Sequence, residues 1–117
     1  MARVMIADDS DAIRQLLKDI ISIGEHELVA EVKDGAEAVE KFNAIKPDLL
    51  LLNLSMPEKD GLTVLKEIKG TNPDAKIIVL SGDNSKEVIN QCLEAGAVSF
   101  IPKPFDFDQI IKALEEI

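Results

Sequence analysis

Five polar residues stand where they could do chemistry, because each closes an apolar run. The runs "RVMIA", "DLLLL", "KIIVL" and "VSFIP" lead, in that order, to Asp8 and Asp9, Asn53, Ser81, and Lys103. Two carboxylates and a third oxygen donor in one cleft repel one another, and a hard divalent cation such as Mg2+ relieves this repulsion by taking oxygen ligands. A lysine and a hydroxyl beside the cation could neutralise the oxygens of a phosphoryl group. The set therefore indicates a metal-assisted phosphoryl site.

Asn53 is the member of this set that does not suit a reactive site. A carboxylate at its position could attack phosphorus as a nucleophile. An amide is neutral, its oxygen is a poor nucleophile, and it has no counterpart of an acyl-phosphate product. We therefore expect that this chain is not phosphorylated at Asn53.

The elements that must bring these residues together alternate along the chain. Short apolar runs, typical of strands covered on both faces, predict strands at residues 3–7, 27–32, 48–53, 76–81 and 98–101. The second run is weaker and alternates, which favours an edge position. Helical patterns between the runs predict an α/β fold of the (βα)5 type, with right-handed crossovers and a parallel sheet covered on both faces. Because parallel strands end at one edge, the polar residues are expected to meet there.

Apolar stripes at helical spacing mark three of the helices. They consist of Ile13, Leu16, Leu17, Ile20 and Ile21; of Val88, Ile89, Cys92 and Leu93; and of Phe107, Ile110, Ile111, Leu114 and Ile117. Ser10 and Asn84 are the predicted N-caps of the first two, with Glu87 completing a capping-box pattern after Asn84. Gly24 and Gly96 follow the last apolar positions as stop signals.

Length and composition limit the class of protein. With 117 residues, of which 46% are hydrophobic and only 3% aromatic, the chain predicts one domain with an aliphatic core. No apolar run approaches the roughly 20 residues of a membrane span, and aspartates follow the start too soon for a signal peptide, so a cytoplasmic location is expected. The net charge of −9 disfavours nucleic acid and anionic lipid as partners.

Two further residues are interpreted as structural. Cys92 is the only cysteine, which excludes an intramolecular disulfide and a cysteine zinc site, and it is predicted to serve packing. His26 lies between two glutamates in a predicted loop and is expected to be solvated rather than a ligand.

The motifs "ADDS", "LLNLSMPEKDG", "VLSG" and "IPKPF", in this order, resemble the receiver domain of two-component response regulators. The resemblance covers essentially the whole chain and is greatest to the single-domain chemotaxis regulators. It implies a flavodoxin-like, doubly wound sheet of strand order 2-1-3-4-5. It also implies a single receiver domain over residues 1–117 with no output domain, so that the effector is a separate protein.

The resemblance assigns roles to the polar residues. Asp8 and Asp9 match the acidic pair that holds Mg2+, with Asp9 the direct ligand, and the backbone carbonyl of Ser55 matches a further metal ligand. Asn53 falls at the position of the phosphoacceptor aspartate, which would also contact the metal. Lys103 matches the lysine that contacts the phosphoryl group, and its bond to Pro104 is expected to be cis.

A switch is also implied by the resemblance. Ser81 matches the hydroxyl residue that turns toward the phosphoryl oxygen, and Phe100 matches the aromatic residue whose rotamer follows it. The responding surface would comprise the fourth helix, fifth strand and fifth helix. Its candidate contact residues are Lys86, Asn90, Gln91, Glu94, Ser99, Phe100 and Phe107.

The implied partners are a histidine kinase upstream and a motor switch or adaptor protein downstream, for a monomer that is not an enzyme. A phosphorylation-independent pseudo-receiver and a stand-alone phosphorelay intermediate are the alternatives. Asn53 is either a laboratory replacement of an aspartate or natural to a pseudo-receiver. The first account is favoured because the chain retains Asp8, Asp9, Ser81 and Lys103 together.

The residues that follow the first predicted strand disfavour two other classes of protein, a phosphatase and a flavodoxin. A haloacid-dehalogenase-like phosphatase would need an Asp-x-Asp nucleophile motif and a cap segment, which "ADDSD" and the following sequence do not offer. A flavodoxin would need a hydroxyl- and glycine-rich phosphate loop, and Asp8 and Asp9 have the wrong charge.

Overall fold

A computed structural model of the chain describes residues 1–116 and contains five parallel strands, each followed by a helix. The strands are β1 (Arg3–Ala7), β2 (Glu27–Val32), β3 (Leu49–Asn53), β4 (Ile77–Ser81) and β5 (Ser99–Pro102). The helices are α1 (Asp11–Ile23), α2 (Gly35–Ile45), α3 (Gly61–Thr71), α4 (Lys86–Glu94) and α5 (Phe107–Glu115). The strands pair in the order β2-β1-β3-β4-β5. This confirms the predicted (βα)5 fold, its strand order and the edge position of β2.

The predicted boundaries are wrong by one residue in three of the five strands. Strands β3 and β4 begin one residue later than predicted, and β5 is displaced by one residue at both ends. The displaced residues lie at strand ends, where pairing with the neighbouring strand begins or stops. Ile117, assigned to the last apolar stripe, lies outside the described residues.

Strand β3 lies at the centre of the sheet and supplies both apolar layers. Leu49 and Leu51 pack with α1 and α5 on one face, whereas Leu50 and Leu52 pack with α2, α3 and α4 on the other. All four leucines are fully buried. The uninterrupted "LLLL" run is therefore explained by a strand that helices cover on both sides.

The predicted apolar stripes are partly wrong. Leu17, Ile20 and Ile21 are buried, as are Cys92, Ile110 and Leu114, but Leu16, Leu93 and Phe107 are 40%, 45% and 41% exposed. Neighbouring residues on a helix are about 100° apart, so Leu16 and Leu93 lie on the flanks of stripes whose centres face the sheet. Burial raises the pKa of the Cys92 thiol, in keeping with the predicted packing role.

The predicted caps are correct for α1 and wrong for α4. Ser10 caps α1, its hydroxyl accepting from the Ile13 backbone at 3.2 Å. Helix α4 is capped by Ser85 rather than Asn84, because the Ser85 hydroxyl accepts from the Val88 backbone at 3.3 Å. The predicted N-cap, and with it the capping-box pattern from Asn84 to Glu87, therefore begins one residue before the observed N-cap.

His26 is not the solvated residue that the sequence predicted. It is half-buried, and its Nδ1 accepts a hydrogen bond from the backbone N–H of Ala2 at 3.0 Å. The imidazole thereby holds the start of β1 against the turn before β2. Within residues 1–116, no helix has the length and apolar character needed to cross a membrane.

Gly61 allows α3 to begin directly against the loop that follows β3. A Cβ atom there would lie 2.5 Å from the Cα of Leu54 and 2.6 Å from the carbonyl oxygen of Asn53. The Gly61 N–H donates to the Leu54 carbonyl at 2.6 Å, closing the loop of residues 54–60. The backbone around Asn53 is thus fixed by a contact that only glycine permits.

We expect Gly61→Ala to lower the free energy of unfolding by roughly 1–3 kcal/mol, because the new methyl group would overlap backbone atoms that cannot move aside easily. Gly70→Ala, in the same helix, is the matched control, since a Cβ there meets nothing within 4 Å. It should raise the free energy of unfolding by about 0.5–1 kcal/mol through helix propensity. Urea denaturation of both variants measures this, and equal effects would contradict the close packing described for Gly61.

Candidate functional site

The polar residues singled out in the sequence lie at the carboxyl edge of the sheet. In the parallel registers, Asn53 is level with Leu80 and Ser81 with Pro102, so neighbouring strands end together. Asp8 is 1% exposed, Asn53 is 6% exposed and Ser81 is 4% exposed. Buried polar groups need hydrogen-bond partners, and these three are joined by only one other buried polar or charged residue, Arg14, among residues 1–116.

Lys103, which follows β5, contacts residues at the ends of β1 and β3. Its Nζ lies 3.0 Å from Asp8 Oδ2 and 3.0 Å from Asn53 Oδ1. The other oxygen of Asp8 accepts from the backbone N–H of Ser10 at 2.9 Å. The buried carboxylate is therefore neutralised by one ammonium and fixed in orientation by one backbone donor. The Lys103-Pro104 bond is cis, as predicted.

The amide nitrogen of Asn53 points away from Lys103 and toward oxygen atoms. It donates to Asp9 Oδ1 at 3.1 Å and to the backbone carbonyl of Ser55 at 2.6 Å. Both amide hydrogens are thus used, and the amide oxygen accepts from Lys103. We call the five connected residues Asp8, Asp9, Asn53, Ser55 and Lys103 the edge network.

The side chains of Ser81 and Phe100, the two expected switch residues, lie outside the edge network. The Ser81 hydroxyl accepts from the Asp83 backbone N–H at 3.0 Å. Phe100 is half-buried and packs against the apolar layer under α2, α3 and α4. The structure therefore brings together the acidic pair, the amide, the carbonyl and the lysine. Ser81 adjoins them through its backbone carbonyl, which accepts from the Lys103 N–H at 2.8 Å, while its hydroxyl bonds elsewhere.

Arg14 is a residue of this region that the sequence prediction missed. It is 5% exposed, and its Nη1 donates to the backbone carbonyl of Asp8 at 2.7 Å. Its Nε donates to Glu31 at 3.2 Å, and its remaining nitrogen pairs with Asp11. Arg14 precedes Leu17 by three residues, so its place on the buried face of α1 could have been inferred from the apolar stripe.

The pKa shifts of this cluster follow from its contacts. Burial acts to lower the pKa of Arg14, but hydrogen bonds and charges from Asp11 and Glu31 outweigh it and raise the pKa. The pKa of Glu31 is lowered, chiefly by its hydrogen bond to Lys18, at 3.0 Å, with Arg14 adding to the effect. The guanidinium is thus held charged beneath the strand end that carries the acidic pair.

The edge network contains oxygen atoms of the kind that bind a divalent metal ion, but hydrogen bonds occupy them. Asp9 and the Ser55 carbonyl are oxygen ligands suited to Mg2+, yet both face the amide hydrogens of Asn53. Among residues 1–116, no group of three His, Cys, Asp or Glu side chains is placed to hold an ion. With an amide at position 53, the third carboxylate of such a group is missing.

The fold and the edge network define a receiver domain, and the chain belongs to the response regulator receiver domain family, whose sequence profile matches residues 4–115. Among its relatives are chemotaxis proteins CheY. It is 40% identical to that of Thermotoga maritima over 115 residues, or 98% of this chain and 96% of the relative. It is 40% identical to that of Bacillus subtilis over 114 residues, or 97% of this chain and 95% of the relative.

Solved structures agree with this assignment. A chain of the CheX-CheY-BeF3-Mg+2 complex from Borrelia burgdorferi superposes with a TM-score of 0.94 at 29% identity, covering 97% of this chain and 87% of that one. The receiver domain of the response regulator NarL from Mycobacterium tuberculosis gives 0.92 at 29% identity, covering 98% and 94%. The resemblance seen in the sequence is confirmed: this is a CheY-like receiver domain of a two-component system. Such domains are signalling modules that typically bind Mg2+ and interact with kinases and effector or adaptor proteins.

Replacing Glu31 with Gln should give a pH-dependent loss of stability. Since the pKa of Glu31 is lowered in the folded protein, its contribution is complete above the unfolded-state value of about 4.3 and is lost as pH falls through the lower folded value. The difference in free energy of unfolding between the unaltered chain and Glu31→Gln should therefore be largest above about pH 5 and shrink toward pH 3. Urea denaturation across this range measures it.

Lys18→Met serves as the companion variant, because the Lys18 hydrogen bond is the largest cause of the lowered pKa. It should remove most of the same pH dependence while leaving Arg14 in place. A difference between the unaltered chain and Glu31→Gln that stays constant from pH 6 to pH 3 would contradict the ion-pair account.

Proposed function

We propose that this chain is a stand-alone chemotaxis response regulator, downstream of a histidine kinase, that relays a signal by binding a motor switch or adaptor protein. The observation that carries the proposal is the edge network, in which Lys103 contacts both Asp8 and Asn53 where β1, β3 and β5 end. The alignment with 96% of the Thermotoga CheY, at 40% identity, supports the chemotaxis role. The expected monomeric state and cytoplasmic location remain predictions.

The site residues keep the roles that the sequence suggested, as part of this proposal. Asp8 and Asp9, with the Ser55 carbonyl and the Asn53 side chain, are the residues that would hold Mg2+. A bound Mg2+ would supply positive charge for the oxygens of a phosphoryl group. Lys103 is already positioned at the oxygen of residue 53, where it would contact the same group.

Asn53 makes the present chain silent in phosphoryl transfer, according to the proposal. Its oxygen belongs to a neutral amide and accepts a hydrogen bond from Lys103, so it is neither charged nor free to attack phosphorus. Binding of Mg2+ should also be weaker than in Asn53→Asp, because one negative charge is absent and the amide oxygen faces the lysine. The chain would bind partners in its inactive conformation.

An aspartate at position 53 would restore the switch by attracting groups to a dianionic phosphoryl. Ser81 would have to release the Asp83 N–H, with which it now pairs at 3.0 Å, and Phe100 would move inward behind it. The face of α4, β5 and α5 would then change shape. Its proposed contact residues are Lys86, Asn90, Gln91, Glu94, Ser99, Phe100 and the exposed Phe107.

A phosphorylation-independent pseudo-receiver is the second candidate, and one observation favours it. Every buried side-chain nitrogen and oxygen atom among residues 1–116 has a hydrogen-bond partner, the amide of Asn53 included. The edge network is therefore self-sufficient with asparagine, as expected of a module that binds partners without chemistry.

The proposal predicts that Asn53→Asp takes up one phosphoryl group from acetyl phosphate in the presence of Mg2+, whereas the unaltered chain takes up none. The reason is that only the carboxylate can form the acyl phosphate. Intact mass measured with and without the donor gives the answer. Uptake by the unaltered chain, or none by the folded Asn53→Asp variant, would contradict the assignment of the site.

Asn53→Asp combined with Lys103→Met is the matched control, because it keeps the acceptor and removes the cation beside it; uptake should fall by at least about tenfold. The phosphorylated single variant also separates the rival functions. Tighter binding to a purified motor-switch protein supports the chemotaxis role, whereas transfer of the phosphoryl group to a second histidine protein would indicate a phosphorelay intermediate.

A further inference from the structure

The Asn53 amide lies where it contacts the same two oxygen atoms that a metal ion at this site would bind. One hydrogen points to the Asp9 carboxylate at 3.1 Å and the other to the Ser55 carbonyl at 2.6 Å, as measured from the nitrogen. These contacts link the end of β1 to the loop after β3. Such a link between two oxygen atoms is also what a coordinated cation provides.

The opposite orientation of the amide would be unfavourable at every contact. Turning it over would place its nitrogen beside the Lys103 ammonium, which has no acceptor, and its oxygen against the Asp9 and Ser55 oxygens. The present orientation satisfies all three partners. The network therefore fixes which way the amide points.

A carboxylate at position 53 could not make the same link. It has no hydrogen to donate, so its oxygens would face Asp9 and the Ser55 carbonyl at hydrogen-bond distance with repulsion instead of attraction. Lys103 would be the only cation of the edge network, shared between Asp8 and the new carboxylate. An aspartate form would therefore need a metal to hold the two loops together, and the asparagine form would not.

We infer that the Asn53 amide acts as an internal replacement for the metal ion, so that this chain holds its acidic site closed without Mg2+. An incoming Mg2+ must break both amide hydrogen bonds and turn the amide oxygen away from Lys103 before it can bind. Metal binding and the hydrogen-bonded network thus exclude each other. This inference goes beyond the proposed function, since it does not depend on phosphorylation or on the identity of any partner.

Thermal unfolding with and without Mg2+ tests the inference. In EDTA, Asn53→Asp should unfold at a lower temperature than the unaltered chain. Saturating Mg2+, compared with NaCl of the same ionic strength, should raise the midpoint of Asn53→Asp by about 5–10 °C and that of the unaltered chain by no more than about 1 °C. Equal increases in the two proteins, or equal midpoints in EDTA, would overturn the inference.

Asn53→Leu separates the hydrogen bonds from the mere absence of charge. Leucine is close to asparagine in shape and is also neutral, but it donates no hydrogen bond. If the amide links the loops, the hydrogen-bonded backbone amides of Leu54, Lys59 and Gly61 should exchange with deuterium at least about tenfold faster in Asn53→Leu than in the unaltered chain. Equal protection in the two proteins would show that charge removal alone stabilises the site.

These outcomes are distinguishable from failure of the proposed function. An Asn53→Asp variant that accepts no phosphoryl group but gains stability from Mg2+ would support the amide link and contradict the phosphoacceptor assignment. If Asn53→Asp is phosphorylated but Mg2+ stabilises it and the unaltered chain equally, the phosphoacceptor assignment would be supported and the amide link contradicted.

Discussion

Negative charge converges at one edge of this protein because parallel strands end side by side. Asp8 is buried there, so its charge needs a positive partner, and the exposed Asp9 lies beside it. Three donors face this edge: the Lys103 ammonium in front of Asp8, the Arg14 guanidinium at the Asp8 backbone carbonyl, and one amide hydrogen of Asn53 against Asp9. The closure of the loop after β3, the proposed need for Mg2+ and the proposed phosphoryl chemistry all depend on this balance of charge.

The balance explains how a receiver domain can keep its shape while losing its reaction. Exchanging a carboxylate for an amide removes the nucleophile and one charge, and it also adds two donors where a cation would otherwise be needed. Lys103 stays in place through Asp8 and the amide oxygen. Under the proposed function and the inference above, an asparagine at position 53 would both silence the chemistry and stabilise its surroundings, which is consistent with a site that keeps its other polar residues.

The sheet could be predicted well from the sequence because buried strands require runs of apolar residues, and such runs are visible in the sequence. The "LLLL" run is typical of a strand covered on both faces, as it proved to be, and the polar residues after the apolar runs were expected to meet at one edge of the sheet. Details of orientation were not predictable. Asn84 and Ser85 are both good caps, and only the geometry of the turn selects Ser85. Likewise, the direction of the Asn53 amide depends on Lys103, which lies 50 residues away along the chain. Arg14 was overlooked because a charged residue inside an apolar stripe is usually expected to face solvent.

The side-chain NH2 group of Asn53 can be observed directly by NMR in the 15N-labelled, unaltered protein. If the amide links Asp9 to Ser55, both of its hydrogens should exchange slowly with water, and their chemical shifts should stay unchanged when Mg2+ replaces Na+ at constant ionic strength. An amide whose hydrogens exchange as fast as those of an exposed asparagine such as Asn90, or whose signals shift and saturate with Mg2+, would contradict the central claim.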